Sequence, residues 1–222
     1  SVFFTRLGQR IIHILTSKMA SGSLYETDMR LRPSGNAGLL VSSLKAFEEY
    51  QKKQAWNWEH QALVRSRVVA GCPRLQEKYN ALRLGVLAHR RDAVKLQQEV
   101  VEMREKMLGH LSTYKDLELN EARFGKDNQF DLKQDPGGIV DIEFLAQYLA
   151  LRWTREHPQM GRWTDNMRIL DSALEQGKLS QQQVAQLQNA YLQYRSQTHV
   201  LALQNSRAKV SAERFVEERR QV

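Results

Sequence analysis

Between residues 3 and 20 the apolar side chains fall at Phe4, Leu7, Ile11, Ile14 and Leu15. That is the three-and-four spacing of a helix buried along one side. From Ser23 to Pro33 the period becomes two. Tyr25, Thr27, Met29 and Leu31 alternate with Glu26, Asp28, Arg30 and Arg32, which predicts a strand with one polar face. Pro33-Ser34-Gly35-Asn36 reads as a turn. Leu39, Leu40 and Val41 predict a short strand. Ser43 is placed to cap a helix running to about Gln54, and another helix is expected from about Ala55 to Val69. Gly71-Cys72-Pro73 is the best internal boundary, because Gly suits a helix C-terminus and Pro the first turn of the next helix.

Beyond that boundary every periodic segment is helical. Leu96, Val100, Met103, Met107 and Leu111 form a stripe at four- and three-residue steps. Residues 113–136 read as a polar connection. Helices are expected from about Gly138 to Arg155 and from Thr164 to Gln176, the latter ended by Gly177. Ser180 and Gln183 make a capping box, with Leu179 and Val184 spaced as its hydrophobic staple. Val184, Leu187, Tyr191, Tyr194, Thr198 and Leu201 then repeat as the seam of a bundle. A final helix is expected from about Ser211. The fold class is mainly α with an α+β remnant: residues 1–71 hold the mixed part and residues 72–222 a helical bundle.

The chain has 222 residues, enough to bury a sizeable core. With 41% hydrophobic and 26% charged residues it has the composition of a folded protein. A single cysteine, Cys72, excludes a disulfide scaffold and a cysteine-based zinc site. No apolar run is long enough for a transmembrane helix. The chain opens on Ser1 without a Met or a signal-peptide pattern, and is expected to be a piece of a longer, cytoplasmic protein. The net charge of +8 points to an anionic partner. Ten Lys/Arg face five Asp/Glu in residues 1–72, against 23 and 20 in residues 73–222. The excess is thus concentrated in the first third and nowhere forms a basic run, so neither nucleic acid nor a membrane surface is the expected partner.

Three segments carry candidate chemistry. On the polar face of the predicted strand, Glu26, Asp28, Arg30 and Arg32 stand about 7 Å apart. Carboxylates hold Mg²⁺ through oxygen, and guanidinium forks match phosphate oxygens. A solvated face with cross-strand ion pairs fits the same spacing. The following turn, with Ser34, Gly35 and Gly38, leaves backbone N–H groups to meet an anion. The second segment runs from Lys133 through Gly137, Gly138, Asp141 and Glu143. A Gly-Gly pair opens a helix whose first turn has unpaired N–H groups, and Asp141 there also suits the helix dipole without any ligand. Asp141 and Glu143 lie roughly 200° apart around the helix and cannot serve one metal together. The third is the run from Trp56 to Arg67, whose two tryptophans are able to stack on a base but at helical spacing are more often core or interface, and whose His60 reads as a capped or surface histidine.

Taken together, Tyr25-Glu26-Thr27-Asp28-Met29-Arg30-Leu31-Arg32-Pro33-Ser34-Gly35, the run Trp58-Glu59-His60-Gln61-Ala62-Leu63-Val64-Arg65-Ser66-Arg67 and the run from Gly137 to Gln147 closely resemble the glutamine synthetase adenylyltransferase/adenylyl-removing enzymes of proteobacteria. The blocks occur in that family's order and spacing, and the resemblance covers nearly the whole chain. It implies a truncated nucleotidyltransferase α/β domain followed by a helical bundle. The Arg-Pro-Ser-Gly and Glu-His-Gln-Ala-Leu variants resemble the C-terminal, adenylylating unit, which transfers AMP from ATP to a tyrosine of glutamine synthetase and so regulates nitrogen assimilation.

The resemblance further implies that Asp28 is the third carboxylate of the triad that binds Mg²⁺–ATP. Arg30, Arg32 and the Gly35 turn would lie by the phosphates, and Lys133, Gly137 and Gly138 would face them from the bundle, with Glu26 and Asp141 as secondary candidates. Glutamine synthetase, the PII signal protein and ATP are the implied partners. The family's paired carboxylates, in a Gly-Ser-x-Asp-x-Asp motif, do not occur in this chain. The 222 residues by themselves are therefore expected to be inactive. Two alternatives stand beside this reading: the deadenylylating unit, which works by phosphorolysis, and a non-catalytic bundle that docks glutamine synthetase or PII.

Overall fold

The computed structural model describes residues 2–20, 22, 27–29, 32–111 and 128–222. Helix α1 (Val2–Thr16) forms where the periodicity places it. Its apolar side is not buried, contrary to the expectation. Phe4, Leu7, Ile11 and Ile14 are all exposed, and no residue of the helix is buried. Most of the predicted strand at 23–33 lies outside the described residues; Thr27, Asp28 and Met29 belong to no regular element. Residues 39–41 form no strand either, which corrects that expectation. They lie against α1, where a Cβ on Gly8 would come within 3.0 Å of Val41.

Helix α2 (Leu44–Lys53) starts at the expected cap, with the Ser43 hydroxyl accepting from the Ala46 N–H at 3.1 Å. Helix α3 (Asn57–Val64) stops five residues short of the expected end. The cause is Arg83 of α4 (Pro73–Leu87), whose guanidinium takes the carbonyls of Leu63, at 2.7 Å, and Val64. A continuing helix would offer those carbonyls to residues 67 and 68. Gly71, at φ +132°, and Pro73 separate α3 from α4 as the sequence indicates.

Helix α5 (Ala93–Leu111) buries Leu96 and Val100, the first two members of its stripe. Helix α6 (Ile139–Trp153) is the centre of the fold and is apolar on several sides. Ile142 and Leu149 pack with Phe130, Leu170, Val184, Leu187 and Tyr194. Ala146, Ala150 and Leu151, on another side, pack with Leu63, Val64, Val86, Leu87 and Leu96. Leu63 and Val64 lie upstream of Gly71, so α3 shares the core of the bundle. Helices α7 (Asn166–Glu175) and α8 (Gln181–Leu203) follow. The Ser180 capping box forms: the Ser180 hydroxyl accepts from the Gln183 N–H, and the Gln183 side chain from the Ser180 N–H.

A two-stranded antiparallel ribbon, missed in the sequence, ties the connection after α5 to the chain after α8. Strand β1 (Gln129–Asp131) pairs with β2 (Lys209–Ser211), with Phe130 opposite Val210. The helix expected from Ser211 therefore starts later, as α9 (Val216–Gln221). No described helix is long and apolar enough to cross a membrane.

Candidate functional site

The first candidate segment is built as a tight turn. Ser34 has a left-handed backbone (φ 60°), an uncommon state for a residue with a Cβ. A Cβ on Gly38 would come 1.8 Å from the Pro33 carbonyl oxygen, so only glycine fits there. Arg32 wraps the turn. Its Nη1 donates to Met29 O at 2.8 Å, its Nη2 to Asn36 O at 3.1 Å and its Nε to Gly38 O at 3.2 Å. The Gly35 N–H donates to Arg32 O at 2.8 Å. In this structure the Arg32 fork and the Gly35 amide organise the turn that follows Asp28. Asp28 itself is exposed. Glu26 and Arg30 lie outside the described residues.

This turn is connected to α3. The Tyr50 hydroxyl of α2 lies beside the N–H and hydroxyl of Ser34 and donates to Glu59 Oε1 at 2.8 Å. Glu59 Oε2 accepts from the Trp56 N–H at 2.9 Å, closing the first turn of α3. From its other end α3 reaches α6. Gln61 Nε2 donates to Gln147 Oε1 at 3.3 Å, and Arg65 pairs with Glu143. The second and third sequence blocks thus meet side by side.

The Gly137-Gly138 segment differs from its expected role. The sequence predicts unpaired N–H groups at this helix start; each has an acceptor. Gly137 N–H donates to Asp141 Oδ2 at 2.6 Å, Gly138 N–H to Asp135 O, Ile139 N–H to Leu132 O, Val140 N–H to Lys133 O and Asp141 N–H to Gly138 O. The glycines serve close packing. Gly137 has φ +77°, and a Cβ there would lie 2.5 Å from Arg219 O of α9; at Gly138 it would lie 2.9 Å from Leu132 O and Asp135 O. Asp141 also pairs with the buried Arg104, whose Nη2 donates to Gln134 O at 2.9 Å. Asp141 and Glu143 point to different partners, as their helical spacing requires. Lys133 is exposed beside this latch.

His60 is buried at 6% exposure, not on the surface as the sequence suggested. Its Nε2 lies 2.9 Å from Gln51 O, and Nδ1 accepts from Arg91 Nη2 at 3.0 Å. Burial lowers its pKa. Its position as a link between α2, α3 and the chain before α5 makes it structural. Nothing in the sequence singles out Tyr50, Arg83 or Arg104. Each stands alone in an ordinary helical pattern, and only the fold brings it to its partner.

Among the described residues no group of three or more His, Cys, Asp or Glu side chains could hold a metal ion. Mg²⁺ is usually held by one or two carboxylates together with substrate phosphates and several waters, and Asp28 is an exposed carboxylate among the described residues.

Residues 1–82 match the family described as Glutamate-ammonia ligase adenylyltransferase, and residues 101–211 that described as GlnD PII-uridylyltransferase. The chain is 54% identical over 221 residues to a bifunctional glutamine synthetase adenylyltransferase/adenylyl-removing enzyme of Hahella chejuensis, covering 100% of this chain and 22% of the relative. Identity to the enzyme of the same description from Pseudomonas aeruginosa is 54%, over 99% of this chain and 22% of the relative. For that of Pseudomonas putida it is 50%, over 99% and 23%. The chain therefore spans less than a quarter of the length of these relatives. With about half of its residues identical along its whole length to these enzymes, the chain belongs to the family of bifunctional glutamine synthetase adenylyltransferase/adenylyl-removing enzymes.

Proposed function

We propose that this chain forms part of an adenylylating unit, which transfers AMP from Mg²⁺–ATP to a tyrosine of glutamine synthetase in the cytoplasm, under control of the PII signal protein. Residues 1–71 are the C-terminal part of its nucleotidyltransferase-like domain, and residues 72–222 the helical bundle. The observation that carries this reading is the identity of about half the residues along the whole chain. The match to a PII-uridylyltransferase family over residues 101–211 supports a link to PII.

In this reading Asp28 gives one carboxylate to Mg²⁺–ATP, and the remaining ligands come from outside the described residues. Arg30 and Lys133 are the side chains offered to the phosphates. Arg32, Gly35, Gly137 and Gly138 act by shaping the two turns on which those groups stand. Glu26 and Asp141 are secondary, and Asp141 acts through its hold on the Gly137 N–H. Asp28→Asn in the intact protein is expected to abolish AMP attachment to glutamine synthetase while AMP removal continues. Near-normal attachment would remove Asp28 from the mechanism. Loss of removal with attachment intact would assign the chain to the opposite unit.

A further inference from the structure

At the C-terminal end of α3, opposite the end that carries Glu59, a cleft of about 650 Å³ opens between residues 66–68, α4 and the 3-10 turn Pro158–Gly161. That volume suits a small-molecule ligand, for which pockets of roughly 300–1,000 Å³ are usual. Arg67, Arg83 and Arg162 line it, and among the described residues no Asp or Glu does. Arg83, 5% exposed, forms the inner wall. Its guanidinium donates only to neutral carbonyls: Leu63 O at 2.7 Å, Gly161 O at 2.6 Å, Trp163 O at 3.2 Å and Val64 O. Those bonds use four of its five N–H donors and fix its place but leave its positive charge uncompensated.

Arg67 and Arg162 are exposed at the rim. Neither makes a side-chain hydrogen bond or ion pair among the described residues; Arg162 stacks over Trp163, 4.7 Å from the ring centroid. Their forks remain available to an incoming group. The contrast with Arg65, Arg104 and Arg168, each paired to a carboxylate, is local and clear. Gln76, Asn80 and Gln159 add amide donors and acceptors to the lining. Three cations and no anion in one concave site make a field that favours a multiply charged anion, and Arg forks match phosphate and carboxylate oxygens in pairs.

We propose that this cleft binds a small molecule carrying at least two negative charges, held by Arg67 and Arg162 in front of the fixed charge of Arg83. The test is isothermal titration calorimetry on the 222-residue chain with two probes, inorganic pyrophosphate and malonate. At least one is expected to bind at a single saturable site. A preference for pyrophosphate assigns the site to a phosphate-bearing ligand, and a preference for malonate to a dicarboxylate. The double variant Arg67→Ala/Arg162→Ala is expected to raise the Kd about tenfold or more. The control Arg155→Ala/Arg207→Ala removes the same charge from exposed positions elsewhere and is expected to leave the Kd within about twofold. Failure of both probes to saturate, or equal weakening in the two double variants, would overturn the proposal and leave only diffuse attraction to a basic chain.

Discussion

Tyr50 and Glu59 form a bridge between the turn that follows Asp28 and the helix that enters the bundle: the tyrosine hydroxyl donates to Glu59 Oε1 at 2.8 Å while facing Ser34. Removing the hydroxyl in Tyr50→Phe deletes one hydrogen bond and is expected to cost about 1 kcal/mol. Because Glu59 also caps α3 through the Trp56 N–H, Glu59→Gln is expected to cost a similar amount. A double-mutant cycle read by urea denaturation should give a coupling energy of about 0.5 kcal/mol or more. Strict additivity of the two substitutions would show that the bridge contributes nothing.

Arg83 ends α3 and spans four carbonyls from two parts of the chain. Arg83→Met keeps much of the volume but orphans several buried acceptors. Each such acceptor costs roughly 1–3 kcal/mol, so this variant is expected to lose about 3 kcal/mol or more in chemical denaturation. Arg83→Lys, which reaches fewer carbonyls at once, should fall between it and the parent. A loss under 1 kcal/mol for the methionine variant would refute the capping role.

Gly137 combines a positive φ with the backbone of α9 lying directly over it. Gly137→Ala is expected to destabilise by about 2 kcal/mol or more, through backbone strain and displacement of Arg219. Hydrogen exchange should localise the change, with protection lost in α9 and in residues 129–132. Unchanged exchange in α9 would argue against the contact.

Burial lowers the His60 pKa below the ordinary histidine value, with Arg91 and His89 adding to the shift and Glu59 and the Gln51 carbonyl opposing it. The neutral ring with hydrogen on Nε2 satisfies both bonds: Nε2–H donates to Gln51 O, and Nδ1 accepts from Arg91. In the unfolded chain the ring takes up a proton near pH 6.5, before the folded one does. The contribution is therefore full above pH 6.5 and falls as pH drops, by at most about 1.4 kcal/mol per pH unit. The difference in Tm between pH 7.5 and 5.5 is expected to shrink in His60→Gln. An identical difference in both proteins would exclude His60 as the source.

Local signals in the sequence were sufficient wherever one residue acts on its near neighbours. Ser43, Ser180 with Gln183, Gly71 with Pro73, and Gly177 all mark boundaries that the structure keeps. The sequence pattern carries α3 to Val69, past its end at Val64, because the stop comes from Arg83, about twenty residues on. The ribbon was missed because three-residue strands carry too little periodicity, and their partners lie about eighty residues apart. At the Gly-Gly helix start the sequence leaves an anion site and an ordinary helix entry both open, because the occupants, Asp141 and the α9 backbone, reach it only through the fold. The α1 stripe was correct as a pattern, but periodicity reports which side is apolar and not what covers it.

The β1–β2 ribbon has a consequence for synthesis on the ribosome. Leu132 N–H bonds to Ala208 O, and the Asn128 carbonyl accepts from Ala212 N–H, so the segment that carries Lys133 cannot settle until residues about eighty positions further on have emerged. Folding of the helices can start early, but the Gly137 latch closes late, after a long-range contact of high entropic cost. A nascent chain that stops before Ala208 would hold its central helix in place with its leading turn unfastened.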